Sequence, residues 1–176
     1  GEPTATPQQP PSTQQKTTAQ TAAPSANPMA TADCLAGQWT ANASQVRSEV
    51  QRQAQALDIP DVKVSIDNAA MKGTINADGT ATFLTTANIT ANVSGFNVPG
   101  TASTSLVATW SSSGNNLTYK ITAYSMTIKI LGQDYFPTIT NVVGASLNGS
   151  FSCNDSTMKL NMNSNVINLP SDWSAS

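Results

Sequence analysis

The chain contains no histidine. That absence removes the commonest general base, the histidine-centred nucleophilic triads and most zinc and haem ligand sets. Carboxylates are the next candidates, since a glycosidase needs a facing pair across a cleft. Here Glu49 falls on the polar face of a predicted helix, Asp67 among polar strand positions, and Asp78, Asp134 and Asp155 in predicted turns. Their spacing reads as solvated charge. The run Asn76-Ala77-Asp78-Gly79-Thr80 alternates oxygen-bearing side chains before a glycine, as a calcium loop does, but no bidentate acid follows at the required distance. No serine sits in a Gly-x-Ser-x-Gly elbow, and no glycine-rich phosphate loop precedes a helix. The expectation is a protein that is not an enzyme, with no metal and no cofactor.

Cys34 and Cys153 are the only cysteines, so a single intramolecular pairing is open to them. Two thiols without histidine do not complete a zinc site. A disulfide is the expected use, closing a loop of roughly 120 residues that in the chain-entropy picture is worth about 4–5 kcal/mol. That points to an extracellular or periplasmic setting. Six Asn-x-Ser/Thr triplets begin at Asn42, Asn88, Asn92, Asn116, Asn148 and Asn154. A chain this rich in Asn, Ser and Thr generates such triplets without selection for glycans.

Eight basic and ten acidic side chains give a formal charge of −2. There is no basic field with interleaved aromatics to attract phosphate, so nucleic acid is not an expected partner. No apolar run approaches the ~18 residues of a membrane span, and an export signal, if used, is expected to have been removed upstream. Residues 1–31 are dominated by Pro, Gln, Thr, Ala and Ser, with Met29 the only large apolar side chain. Such a stretch buries too little apolar area to offset its ordering entropy. It reads as a disordered tether, and its membrane link as an upstream lipid anchor.

Folded structure is expected over 32–165. Leu35, Gly37 and Trp39 alternate as one face of a short strand. A helix over about 43–58 follows, with Asn42 as its cap and Gln45 in the capping-box position. Val46, Val50, Ala54 and Leu57 form its apolar stripe, and Pro60 ends it. From Val62 onward the period is two. Asp78-Gly79, Asn97-Val98-Pro99-Gly100, Ser113-Gly114-Asn115 and Gly132-Gln133-Asp134 read as turns between alternating runs. After Leu117, Tyr119, Ile121 and Ala123 the apolar phase moves to Tyr124, Met126, Ile128 and Ile130, as a β-bulge would move it. Alternation resumes with Ile139, Val143, Ala145, Leu147 and Phe151. Residues 166–176 read as a C-terminal tail. About eight antiparallel strands result, some near 14 residues, or about 45 Å if straight at ~3.3 Å per residue. A sheet of such strands in one small domain must curl. The fold class is therefore mainly β: an up-and-down antiparallel meander forming a barrel or half-barrel, with one helix after the first strand.

Ala81, Ala87, Ala91, Ala102 and Ala108 share the inward phase with larger side chains, and small inward residues leave space. Either the amphipathic helix fills that space or an apolar ligand does. For a ligand, Phe83, Trp110, Tyr119 and Phe151 are the candidate lining.

Gly37-Gln38-Trp39 resembles the Gly-x-Trp first strand of lipocalin-like (calycin-type) proteins. With the run of hairpins and the biased N-terminal segment, the layout over 33 to about 165 is similar to lipocalin-like domains of bacterial cell-surface lipoproteins. A helix directly after the first strand departs from that family's order, in which the helix comes late. The resemblance implies a barrel or half-barrel holding a small hydrophobic or lipid ligand. The other function in view is a structural or protein-interaction module with a cell-surface protein partner.

Overall fold

A computed structural model describes residues 32–57, 59–137 and 139–176; the segment 1–31, read as a tether, lies outside them. Nine strands and one helix follow a short 3-10 turn: β1 (Gly37–Ala41), α1 (Ala43–Ala56), β2 (Val62–Ile75), β3 (Thr80–Val93), β4 (Phe96–Ser113), β5 (Asn116–Ile130), β6 (Gln133–Tyr135), β7 (Ser146–Cys153), β8 (Thr157–Asn163) and β9 (Asp172–Ala175). Neighbours run β4-β3-β2-β1-β9-β8-β7-β5, and β5 pairs back to β4. Eight antiparallel strands thus close an up-and-down barrel, with β6 an outlying addition to β5. Closure removes the exposed sheet edges that a flat meander would leave.

The strand closing the ring is β9. Residues read as a C-terminal tail therefore belong to the barrel, with Trp39 opposite Ala175 in β1 and Met158 opposite Trp173 in β8. Trp173 is buried and packs on Phe83 at 5.7 Å between ring centroids. The bridge between Cys34 and Cys153 ties the chain before β1 to the end of β7 across a sequence separation of 119.

The β3–β4 turn is at Ser94-Gly95, both at positive φ (53° and 87°), and not at 97–100. A two-residue turn of that kind matches the strands' twist, so β4 starts at Phe96. Pro99 then lies opposite Thr90, one residue beyond the last β5 pair, Gly100 opposite Ile130. A residue without an N–H is tolerated where the strand has one partner only. The bulge expected in β5 is present: Val107 faces Ala123 and Ala108 faces Ile121, leaving Thr122 as the extra residue. A second bulge, at Asp67, lies between the pairs Ile66–Ile89 and Asn68–Asn88. Before β7 the chain is irregular, and Val142 is buried instead of Val143.

Strand lengths set the shape. β2 to β5 run 14, 14, 18 and 15 residues, whereas β1, β7, β8 and β9 run 5, 8, 7 and 4. One half of the barrel is a closed ring. In the other half the four long strands continue alone as a curved wall, because β1 pairs with β2 only over Lys72–Ile75. The backbone of β2 at Val64 and Ile66 would face water or apolar side chains unpaired.

Helix α1 covers that edge. Its alternate residues divide into three stripes four residues apart, the spacing that stacks side chains on one helix face. Val46, Val50 and Ala54 face the core. Arg47 and Gln51 face β2: Ile66 N–H donates to Gln51 Oε1 at 3.1 Å, Arg47 Nε donates to the Ile66 carbonyl at 3.0 Å, and Gln51 Nε2 reaches the Val64 carbonyl at 3.5 Å. The Gln51 carboxamide thereby meets β2 as a peptide group of a neighbouring strand would. Gln45 and Glu49 face the segment before β9: Ser171 and Asp172 N–H both donate to Gln45 Oε1 at 3.0 Å. Asn42 caps the helix by accepting from Gln45 N–H at 3.1 Å. The expected reciprocal capping box is absent because the Gln45 side chain is committed to β9.

The Gln51 contact generates a prediction. Gln51→Leu keeps side-chain bulk but strands the Ile66 N–H, which costs about 1–3 kcal/mol. Urea denaturation is expected to show that loss, against no more than about 0.5 kcal/mol for Gln55→Leu on the exposed helix face. Equal effects from the two substitutions would contradict the edge-sealing role.

Candidate functional site

The interior is layered by cross-strand register. The layer of Phe83, Leu106 and Tyr124 belongs to the packed half. Below it come Thr85, Thr104 and Met126, then Ala87, Ala102 and Ile128, then Ile89, Gly100 and Ile130. Gly100 is required there, since a Cβ would lie 2.6 Å from the Lys129 carbonyl oxygen. Alanine and glycine in consecutive layers leave room that β-branched neighbours do not fill.

That room is a cavity of about 40 Å³ between α1 and the long strands, bounded by Val50, Ala54 and Leu57 on the helix side and Thr85, Ala87 and Ala102 on the strand side. Every described lining residue is uncharged. One water needs about 10–15 Å³ by this kind of measure, so the space exceeds a packing defect. It falls short of the ~300 Å³ at which ligand pockets begin. Outside it lies an open groove of about 560 Å³ between the end of the helix and the chain after β6, lined by Ala56, Leu57, Ile59, Tyr135, Phe136 and Pro137, with Asp134. Leu57 and Ile59 border both spaces, so the groove adjoins the cavity.

The four residues expected to line a ligand site lie elsewhere. Phe83, Tyr119 and Phe151 are buried in the closed half, where the Phe83 and Tyr119 rings meet edge to face at 5.4 Å. Trp110 is half-buried at the far rim and donates from Nε1 to the Asn76 carbonyl at 2.9 Å. None of the four is among the residues lining the cavity or the groove. Large aromatic rings fill a small barrel, and the space is where alanines stand. Tyr119 Oη is the one buried side-chain polar atom among the described residues without a partner, and burial holds its phenol far above the usual range.

Glu49 corrects the reading of solvated charge. It is only 7% exposed and accepts from Arg52 Nε and Nη2 at 2.8 and 2.6 Å, from Gln53 Nε2 at 2.9 Å and from Asn168 N–H at 3.1 Å. Burial by itself pushes its pKa up. The hydrogen bonds from Arg52, Gln53 and Asn168, with the Arg52 charge, outweigh that and hold the carboxyl below its usual range. The same carboxylate acts on Tyr124, whose phenol is pushed up to about 12 by burial first and by Glu49 second. These groups tie α1 to the segment before β9, and Glu49, Arg52 and Asn168 border an open surface hollow of about 440 Å³ there. Asp78 is an exposed turn residue accepting from Thr80 N–H and Oγ1 at 3.0 and 2.7 Å.

Two predictions follow from this geometry. A carboxyl with a depressed folded-state pKa stabilises fully above its unfolded pKa of about 4.3 and loses that contribution as pH falls through the lower folded value. Wild type is therefore expected to lose stability below about pH 4.5 more steeply than Glu49→Gln. Asp78 and Asp172 are also depressed, so the measured quantity is the difference between the two acid titrations. Parallel curves would remove Glu49 from the account. Ala87→Val and Ala81→Val place the same methyl groups on one face of one strand. The first grows into the cavity and is expected to be neutral or stabilising by up to about 1 kcal/mol. The second overpacks a closed layer and is expected to cost about 1–3 kcal/mol. Equal losses in thermal denaturation would mean that no usable space exists at Ala87.

No protein family, no curated protein and no solved structure matches the chain.

Proposed function

We propose that this protein is a non-catalytic binding protein of the extracellular or periplasmic space, holding a small hydrophobic or lipid ligand in its barrel. The observation that carries this reading is the cavity between α1 and the long strands, walled by uncharged residues and adjoining a larger groove at Leu57 and Ile59. Filling a slot of this composition with an apolar group removes apolar surface from water and is favourable. The disulfide supports an oxidising compartment, and no helix among the described residues is long and apolar enough to cross a membrane. Surface attachment through a lipid anchor upstream of residues 1–31, and kinship with lipocalin-like lipoprotein domains, belong to the same proposal. They rest on composition and on the Gly37-Gln38-Trp39 strand.

A second reading has its own support. Phe96, Leu131 and Phe136 are more than 70% exposed, and all three belong to the end of the barrel where β3 turns into β4 and β5 into β6. Exposed aromatic and aliphatic side chains gathered at one end suit a protein partner.

Two measurements separate the readings. Fluorescence titration with N-phenyl-1-naphthylamine is expected to show saturable binding that Ala87→Phe weakens at least about tenfold and that Phe136→Ser leaves within about threefold. Native mass spectrometry of protein purified from its own host is expected to show a co-purifying small molecule. A wild type that neither binds the dye nor carries a small molecule would sink the ligand reading and leave the partner reading standing.

A further inference from the structure

The cavity is not uniformly apolar: Gln53, Thr85, Ser103 and Thr104 all line it. Its deep end carries hydroxyls. Thr85 and Thr104 stand directly opposite each other on the inward faces of β3 and β4, at the level where the packed core ends. Thr85 is only 4% exposed. It is the one polar residue on the buried face of β3, among Ala81, Phe83, Ala87, Ile89 and Ala91. Neither threonine hydroxyl has a hydrogen-bond partner among the described residues. Thr104 is half-buried, and neither hydroxyl is an enclosed orphan atom, so both remain open to whatever occupies the cavity. The outer groove presents Leu57, Ile59, Phe136 and Pro137, with the Asp134 carboxylate among them.

We propose that the cavity takes an uncharged molecule inserted with a hydroxyl or carbonyl leading, that group hydrogen-bonding Thr85 and Thr104 while its apolar body lies in the outer groove. This rests on the ligand-binding reading above and names its ligand class. Size agrees with the assignment: about 40 Å³ admits only the leading end of a ligand, and the groove of about 560 Å³ takes the rest. Charge decides against a carboxylate or ammonium at the deep end. No described lining residue carries a counter-charge, and an ion taken out of water without one is strongly disfavoured. A medium-chain alcohol, a ketone or a neutral ring bearing one hydroxyl fits; a fatty-acid anion entering head-first does not.

Displacement of N-phenyl-1-naphthylamine by 1-octanol, 1-chlorooctane and octanoate at pH 8 tests this, with wild type, Thr85→Val and Thr104→Val. Valine keeps the shape of threonine, and circular dichroism melting confirms that each variant folds. Wild type is expected to bind 1-octanol at least about tenfold more tightly than octanoate. Either valine variant is expected to weaken 1-octanol by about three- to tenfold and leave 1-chlorooctane unchanged. If all three compounds displace the dye and the valine variants change none of them, or if octanoate competes as well as 1-octanol, this inference fails and the cavity reading survives. If the dye binds but no compound displaces it, the hydroxyl-first class is wrong. If wild type does not bind the dye at all, the reading beneath it fails as well.

Discussion

The structure depends on how one helix satisfies an unpaired strand edge. Four long strands outrun the four short ones that complete the ring, and the backbone of β2 at Val64 and Ile66 is left without a strand neighbour on one side. Buried peptide groups in that state would cost more than most side-chain contacts return. Helix α1 resolves it with side chains from two of its three stripes. Arg47 and Gln51 complete the hydrogen bonding of β2, while Gln45 and Glu49 grip the segment that leads into β9. The helix is therefore a wall of the barrel, spanning the gap between its two neighbours.

A helical wall has a different consequence from a strand wall. A strand would bring side chains close to the facing sheet at every second residue. The helix stands further off and presents one narrow stripe, Val50, Ala54 and Leu57, which is too slender to fill the concavity over Ala87, Ala102 and Gly100. Space remains between them, and it lies toward the end of the helix. All the polar clamps named above lie in the first three turns, up to Arg52 and Gln53, while the contacts around Leu57 and Ile59 are apolar. Clamped start and greased end place the cavity there.

Much of this was legible in the residues, for identifiable reasons. The period-two runs of β2 to β5 are long and sorted by face, and the phase change read after Ala123 marked the bulge, which the structure places at Thr122 with Ala123 already exposed. The same signal lay between Ile66 and Met71, where the apolar positions pass from even to odd numbers, and it marks the bulge at Asp67. β9 was not legible because four residues with one inward Trp173 are too few to show a period. The turn at Ser94-Gly95 was masked by the louder proline and glycine at 99 and 100, which belong to a strand edge and a close backbone approach. Glu49 looked solvated because helix periodicity places it off the apolar stripe; its partners at 168 are brought over by a chain that closes the ring from the far terminus. Phe83, Trp110, Tyr119 and Phe151 stand away from the cavity because aromatic side chains fill volume in a barrel of this size. The inward alanines carried the usable signal, and they locate the cavity.

The most direct measurement of the central claim is a crystal structure of the protein under xenon pressure. Xenon enters apolar space that larger ligands and protein side chains leave unfilled and makes few demands on chemistry. The account predicts a xenon site between Ala87, Ala102 and Leu57, on the inner side of α1, with the Gln51 to Ile66 hydrogen bond intact. A structure in which that space is closed by side chains, or in which xenon binds only among exposed residues such as Phe96 and Phe136, would contradict it.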